Sequence, residues 1–416
     1  MTGSRFLFLI RRLILMVGGE AIQSAFHFAL NIFLLHVLSA HDYGIFAISM
    51  VMGGVGLAYI RSFTAIPATI WIAGSKTKIQ ANAYDVTFGS AALLLSTCMM
   101  LIAALLLHLW GSDGALAGGC FIGLWSLRSH LRTAFFARQR QWIVSCSDAC
   151  FTLAGLVSTA FVLYRGDNVL RGVFEALSVA NGCGIFVLLA LARQRIRISV
   201  RAAIRKRYLG LWPQLRWSVF YITTSLLQGQ CVALLVTVMA GPAAYAPIAA
   251  VLTLFAPLRI IATAFDNMMQ PEMSASLARG EREKIWSQAQ IWSLVMGMGG
   301  LAYGGIVLAV TPYIESEAFI DASIHFIGIF AWIIFSLIML YSMPRIILEI
   351  MNDFWILAMI NMAGAVVGLV SIAALLTFAS PPWSLAGAAL SEAIFLLVCW
   401  ITVRRRLKIG FQPFRA

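Results

Sequence analysis

Charge is scarce along this chain. Only 11% of its 416 residues are Asp, Glu, Lys or Arg, while 61% are hydrophobic; soluble domains carry roughly 25% charged residues. That scarcity excludes an ordinary water-soluble domain. Basic residues nearly vanish from every second connection between the apolar stretches. Polar loop is also missing there: Ser39–Asp42, Gly111–Gly114, Gly241–Pro242 and Ser380–Ser384 leave no room for a domain on that side. A membrane glycosyltransferase, ligase or polymerase, which uses such an outer loop to hold catalytic groups, is therefore disfavoured. Asp42 beside His41 reads as a turn or cap residue. No Ser/His/Asp grouping, Walker-type glycine loop or H-E-x-x-H occurs, and the expectation is a protein that is not an enzyme.

Metal-type cysteine spacing is absent as well. All seven cysteines fall in apolar stretches and none forms a Cys-x-x-Cys pair. Cys146 and Cys150 share a helix face at i,i+4 without a histidine cluster, so packing is the expected role, with no metal, cofactor or disulfide. A cleaved signal peptide is not expected either, because Glu20, Gln23, His27 and Asn31 interrupt the first apolar stretch.

What is present is a series of twelve stretches long enough to cross a bilayer, which takes about 20 apolar residues as helix. The first six are Leu13–Leu38, Tyr43–Phe63, Val86–Trp110, Ala115–Leu131, Trp142–Tyr164 and Leu170–Ala192. The second six are Trp217–Met239, Ala243–Met269, Trp286–Tyr313, Ser323–Leu348, Phe354–Ala379 and Leu385–Val403. Their length and the lack of alternation call for helices, hence an all-α polytopic membrane protein. Of the 30 Lys and Arg residues, Arg165 and Arg171 lie at odd connections, Arg61, Arg128, Arg259 and Arg345 within spans, and the other 24 at the termini and even connections. The positive-inside rule then places both termini in the cytoplasm. Anionic lipid at that face accounts for the net charge of +13, and no nucleic-acid partner is implied.

Four segments follow: a six-helix lobe (1–192), a basic cytoplasmic linker (193–216), a second six-helix lobe (217–403) and a basic tail (404–416). The linker interleaves eight basic residues with Ile196, Ile198, Val200, Ile204, Leu209 and Trp212. It reads as a partly helical segment on the inner membrane surface, with a solvated loop as the alternative. The two halves repeat at an offset of 202 residues: His41-Asp42-Tyr43-Gly44-Ile45-Phe46-Ala47 lies over Ala243-Ala244-Tyr245-Ala246-Pro247-Ile248-Ala249. A parallel repeat of six spans is a design used by alternating-access transporters.

These residues carry a family resemblance. Leu38-Ser39-Ala40-His41-Asp42-Tyr43-Gly44-Ile45-Phe46-Ala47 resembles the L-G-x-x-x-Y-G-x-[YF]-A turn of polysaccharide-type flippases, with Ser39 where glycine is common. Ala240 to Tyr245, Pro257-Leu258-Arg259 and Met269-Gln270-Pro271-Glu272-Met273 resemble their second-half signature, with Ala246 where glycine is common. The family is the Wzx-like branch of the multidrug/oligosaccharidyl-lipid/polysaccharide exporter (MOP) superfamily. The resemblance implies two six-helix lobes around a central cavity. It implies transport of undecaprenyl-pyrophosphate-linked oligosaccharide to the outer leaflet of a bacterial inner membrane. The expected partners are the lipid-linked substrate, membrane lipids, and a polysaccharide polymerase and glycosyltransferases. A multidrug or cation antiporter on the same fold is the alternative; a lipid II flippase usually has more than twelve spans.

Ionisable groups at bilayer depth are functional candidates, since each costs about 2.5–3.5 kcal/mol at the centre of a span. They are Glu20, His27, Arg61, Arg128, Asp148, Glu175, Arg259, Asp266, Arg345 and Glu392. Arg128 and Arg345 lie near inner ends and can snorkel, and Glu175 lies close to water. Under the repeat Arg259 corresponds to Leu57, one turn from Arg61, so related helices present arginine on one face. The first two helices of each half line the cavity in the resembled family. Arg61, Arg259 and Arg128 are accordingly candidates for gripping pyrophosphate, which guanidinium binds bidentately; snorkelling is the alternative. Glu20, Asp148, Asp266, Asn361 and Glu392 are candidates for balancing charge or coupling to H+ or Na+. Asn361 and Glu392, with Thr223, Thr224 or Gln228, form a candidate oxygen site for a hard cation; polar pairing between helices is the alternative.

Overall fold

The computed structural model describes residues 22–73, 77–138, 140–192, 199, 201–259, positions 261, 262, 265, 269, 273, 276 and 277, then 279–310, 324–351 and 353–408. Among the described residues the structure is helical throughout, without a strand. The first half contains α1 (Ile22–Val37), α2 (Ala40–Ile60) and α3 (Ile66–Ala73), then α4 (Lys78–Leu109), α5 (Ala115–Ala137), α6 (Gln141–Arg165) and α7 (Val169–Ala192). The second contains α8 (Ala202–Ala240), α9 (Pro242–Leu254), α10 (Arg282–Val310), α11 (Ile324–Ile350), α12 (Phe354–Phe378) and α13 (Ser384–Lys408).

Among the described residues each predicted span carries a helix. Among the described residues nine helical segments are long and apolar enough to cross a membrane. The other three predicted spans fall on α5, α1 and α9. In α5 the cause is compositional, since Arg128, His130 and Arg132 dilute its apolar character. The chain divides into two compact units, Met1–Leu38 with Ile45–Val219, and Ser39–Gly44 with Phe220–Ala416. The turn at Ser39–Gly44 is thus grouped with the second half.

Two local departures from the predicted spans have chemical causes. The second span does not stop at Phe63: α2 passes through a widened π-type turn, Arg61–Ala65, into α3. Pro67 lacks the N–H that would bond the Phe63 carbonyl one turn back, and its ring crowds that carbonyl. The freed carbonyl accepts the Tyr208 hydroxyl at 3.0 Å, so no buried acceptor is stranded. The second departure is the linker. From Ala202 onward it belongs to the 39-residue helix α8, which runs unbroken into the seventh span. Leu211 and Leu215 bury against Ala68, Ile72 and Phe88, and that apolar face supports the extra turns.

Candidate functional site

Each unit holds a buried polar cluster built on the same local device. In the first unit α6 carries Ser147-Asp148. The Ser147 hydroxyl donates to the Gly184 carbonyl of α7 at 2.8 Å, drawing the two helices together. Gly184 is required, because a Cβ there would lie 2.6 Å from Arg128 Nε. Asp148, 3% exposed, then faces α5 and takes two guanidinium groups: Arg128 at 2.6 Å on Oδ1 and Arg132 at 2.8 Å on Oδ2. Arg128 is itself 1% exposed, lies 4.0 Å over the Phe151 ring, and reaches Gln23 Oε1 at 3.4 Å. Beside it His27 is stacked on Trp125, and both its ring nitrogens are buried with no hydrogen-bond partner among the described residues.

In the second unit α13 carries Ser391-Glu392. The Ser391 hydroxyl donates to the Gly364 carbonyl of α12 at 2.7 Å. Gly364 leaves the space that Gln228 of α8 fills, for a Cβ there would stand 3.2 Å from Gln228 Oε1. Glu392, 7% exposed, accepts a hydrogen bond from Gln228 Nε2 at 3.3 Å and another from the Tyr341 hydroxyl. Among the described residues no cation pairs with it. One turn and two turns along α11 from Tyr341 lie Arg345 and Glu349, 3.8 Å apart, and Glu349 accepts the Tyr221 hydroxyl at 3.3 Å.

A third grouping gathers the repeat motif. Gly44 packs so tightly on Pro242 that a Cβ would collide with the Pro242 carbonyl, and Gly241 takes the left-handed φ of 89° that reverses the chain into α9. Tyr43 and Tyr245, the matched tyrosines, are both buried here and near enough to interact electrostatically, as are Tyr245 and Arg259. The side chain of Arg259 is exposed.

The structure therefore separates the sequence candidates by environment. Arg128 does not snorkel and is not presented to a ligand; it is engaged with Asp148. Arg61, at the start of the π-type turn, is exposed, as is Arg259. Glu175 reaches the surface and pairs with Arg171 at 2.8 Å. Asn361 is buried, while Thr224 donates to the Phe220 and Tyr221 carbonyls rather than to a ligand site. Glu20 and Asp266 lie outside the described residues. Sequence reasoning missed Tyr341 and Arg132. Tyr341 was concealed as one aromatic in an apolar span, although its i,i+4 spacing to Arg345 and i,i+8 spacing to Glu349 marks a polar stripe. Among the described residues no three His, Cys, Asp or Glu side chains gather as a metal site.

No family model and no curated protein matches this chain. Solved structures do match in fold. An inward-facing multidrug resistance MATE family transporter of the MOP superfamily superposes with a TM-score of 0.72 at 12% identity, over 93% of this chain and 94% of that one. The lipid II flippase MurJ in an inward closed conformation gives 0.69 at 9% identity, over 95% and 87%. The eukaryotic MATE transporter AtDTX14 gives 0.64 at 15% identity, over 96% of both chains. The fold is the polytopic all-helical one seen in these three membrane proteins.

Proposed function

We propose that this protein is a flippase that moves an undecaprenyl-pyrophosphate-linked oligosaccharide from the inner to the outer leaflet of a bacterial inner membrane, as a Wzx-like transporter. The observation that carries the reading is the division among the span arginines. Arg128 is buried and neutralised by Asp148, whereas Arg259 is exposed beside the motif tyrosine Tyr245. A pyrophosphate is bound by forked guanidinium donors that keep their charge at any physiological pH. Arg259 is the principal phosphate contact in this proposal and Arg61 the second. The fold likeness to a lipid II flippase is consistent with a lipid-linked substrate, and surface polysaccharide synthesis by glycosyltransferases and a polymerase is the setting.

Glu392 is the proposed coupling residue. Among the described residues Glu392 is held by neutral donors, so a proton or Na+ can supply a countercharge and bias one conformation. Likeness to two MATE transporters, one of them named for multidrug resistance, makes drug or cation antiport on the same fold the second reading. Cells complemented with Arg259→Ala distinguish the two. The flippase reading expects loss of surface polysaccharide at matched membrane levels, with poor rescue by Arg259→Lys. Unaltered polysaccharide with lost drug resistance would transfer the assignment to the antiporter.

A further inference from the structure

The inner extension of α8 has two faces: one docks in the first unit, and the other is mostly exposed, meeting that unit through the Trp212 ring stacked on Phe63 at 6.3 Å. Tyr208 bonds the Phe63 carbonyl, Leu211 and Leu215 enter the apolar cluster, and Arg207 donates to the Ala83 carbonyl at 3.2 Å and to Thr87 Oγ1 at 3.4 Å. The opposite face carries Arg205, Lys206 and Arg216 with Leu209 and Trp212, all exposed; Leu209 is 60% exposed and Trp212 42%. At 100° per residue these five fall on one continuous arc of the helix. Among the described residues none of the three cations is in an ion pair. No acidic residue occurs anywhere in the sequence between Glu175 and Asp266, so the chain brings no local countercharge to this arc.

The height of the arc follows from α4. That helix ends at Leu109, at the short turn Gly111–Gly114, which carries no basic residue. About 20 residues, the thickness of the hydrocarbon core, lead back from there to the region of Ser90. Ala83 and Thr87, which hold Arg207, therefore lie at headgroup level, and Arg205 and Lys206 lie beside them. Trp212 and Arg216 come closer to the apolar span that begins at Leu215. Basic heads at phosphate height, with a leucine and a tryptophan directed into the acyl boundary, match the chemistry of a lipid surface.

We propose that this face of α8 is a binding surface for anionic phospholipid of the inner leaflet, with Arg205, Lys206 and Arg216 on the phosphates and Leu209 and Trp212 against the acyl chains. The proposal is independent of the transported substrate. Its test is native mass spectrometry of the full-length protein released from mixed phosphatidylglycerol and phosphatidylcholine vesicles. Wild type should retain phosphatidylglycerol in preference. Arg205→Gln, Lys206→Gln and Arg216→Gln together should reduce that preference on the order of a hundredfold, given the attraction of each basic residue near an anionic surface. The triple Lys/Arg-conserving variant Arg205→Lys, Lys206→Arg, Arg216→Lys should keep it, as should Arg165→Gln with Arg171→Gln at the other end of the bundle. An unchanged preference in the triple glutamine variant would overturn the proposal. So would retention of added undecaprenyl phosphate in place of phosphatidylglycerol through these three residues, which would make the surface a substrate site.

Discussion

Asp148 and Glu392 occupy matching settings and have opposite partners. Each follows a serine whose hydroxyl closes a glycine carbonyl on the neighbouring helix, at 2.8 Å to Gly184 and 2.7 Å to Gly364. Each is nearly inaccessible. Asp148 faces two guanidinium groups, whereas Glu392 faces an amide and a phenol. A carboxylate held by one buried and one partly buried arginine is committed: losing its charge would remove the countercharge they share in a low-dielectric setting. One held by neutral donors can exchange a proton or a cation without stranding a charge. The same backbone device thus yields a structural pin in one unit and an exchangeable group in the other.

The largest expected effect comes from breaking the pin. Asp148→Asn removes the carboxylate that Arg128 and Arg132 both contact and should destabilise the first unit by about 3–5 kcal/mol, seen as a lower melting temperature of the purified protein. Adding Arg128→Met should recover part of that loss. Glu392→Gln keeps a hydrogen-bonding group among neutral partners and should cost only about 1 kcal/mol. Equal destabilisation by Asp148→Asn and Glu392→Gln would erase the distinction.

The glycines give a second contrast. Gly184→Ala drives a methyl against Arg128 Nε at 2.6 Å, whereas Gly364→Ala meets Gln228 Oε1 at 3.2 Å. Overpacking costs about 1–3 kcal/mol, and Gly184→Ala should sit at the upper end of that range and Gly364→Ala at the lower. Thermal melts of the two variants compare them directly; the reverse order would mean that the Arg128 side yields more easily than its ion pairs imply.

A third prediction concerns activity more than stability. Transport by wild type in vesicles should respond to an imposed proton or sodium gradient, and Glu392→Gln should transport weakly and without that response. Wild-type transport indifferent to both gradients would remove the coupling role, leaving downstream polymerisation to give direction.

The smallest effect is at the exposed connection that precedes α10. Glu281 is held down to about 2 by hydrogen bonds from Arg279 and Lys284. Its folded-state value lies below its ordinary 4.5, so its contribution is present above about pH 4.5 and is lost as pH falls towards 2. Asp353, at the start of α12, runs the other way: burial raises it against the opposing Arg406, so its effect on stability worsens as pH rises through its ordinary range. Glu281→Gln should flatten the acid limb of melting temperature against pH slightly, and an unchanged limb would assign that limb to other carboxyls.

Much of this was legible in the residues. Apolar length located a helix on every predicted span, and the Tyr43 and Tyr245 motifs marked two turns that pack together. Partners were not legible, because pairing between helices depends on rotation about each axis, which composition does not encode. Arg128 thus read as a phosphate ligand although Asp148, 20 residues away, neutralises it. Glu392 was grouped with Asn361 and with Thr223, Thr224 or Gln228; of these Gln228 bonds it, and the other partner, Tyr341, was not foreseen. The π-type turn was signalled by Pro67, yet its depth in a continuous apolar run hid the extension to Ala73. The basic linker looked like a tether because its charges drew attention from Tyr208, Leu211 and Leu215, which dock it.

The most direct test is translocation itself. Purified wild type and Arg259→Ala would be placed in proteoliposomes with a fluorescent short-chain polyprenyl-pyrophosphate oligosaccharide, and exposure of the sugar to an external glycosidase followed over time. The proposed function predicts rapid exposure with wild type, background rates with Arg259→Ala, and little recovery with Arg259→Lys. Exposure by Arg259→Ala at the wild-type rate would contradict it.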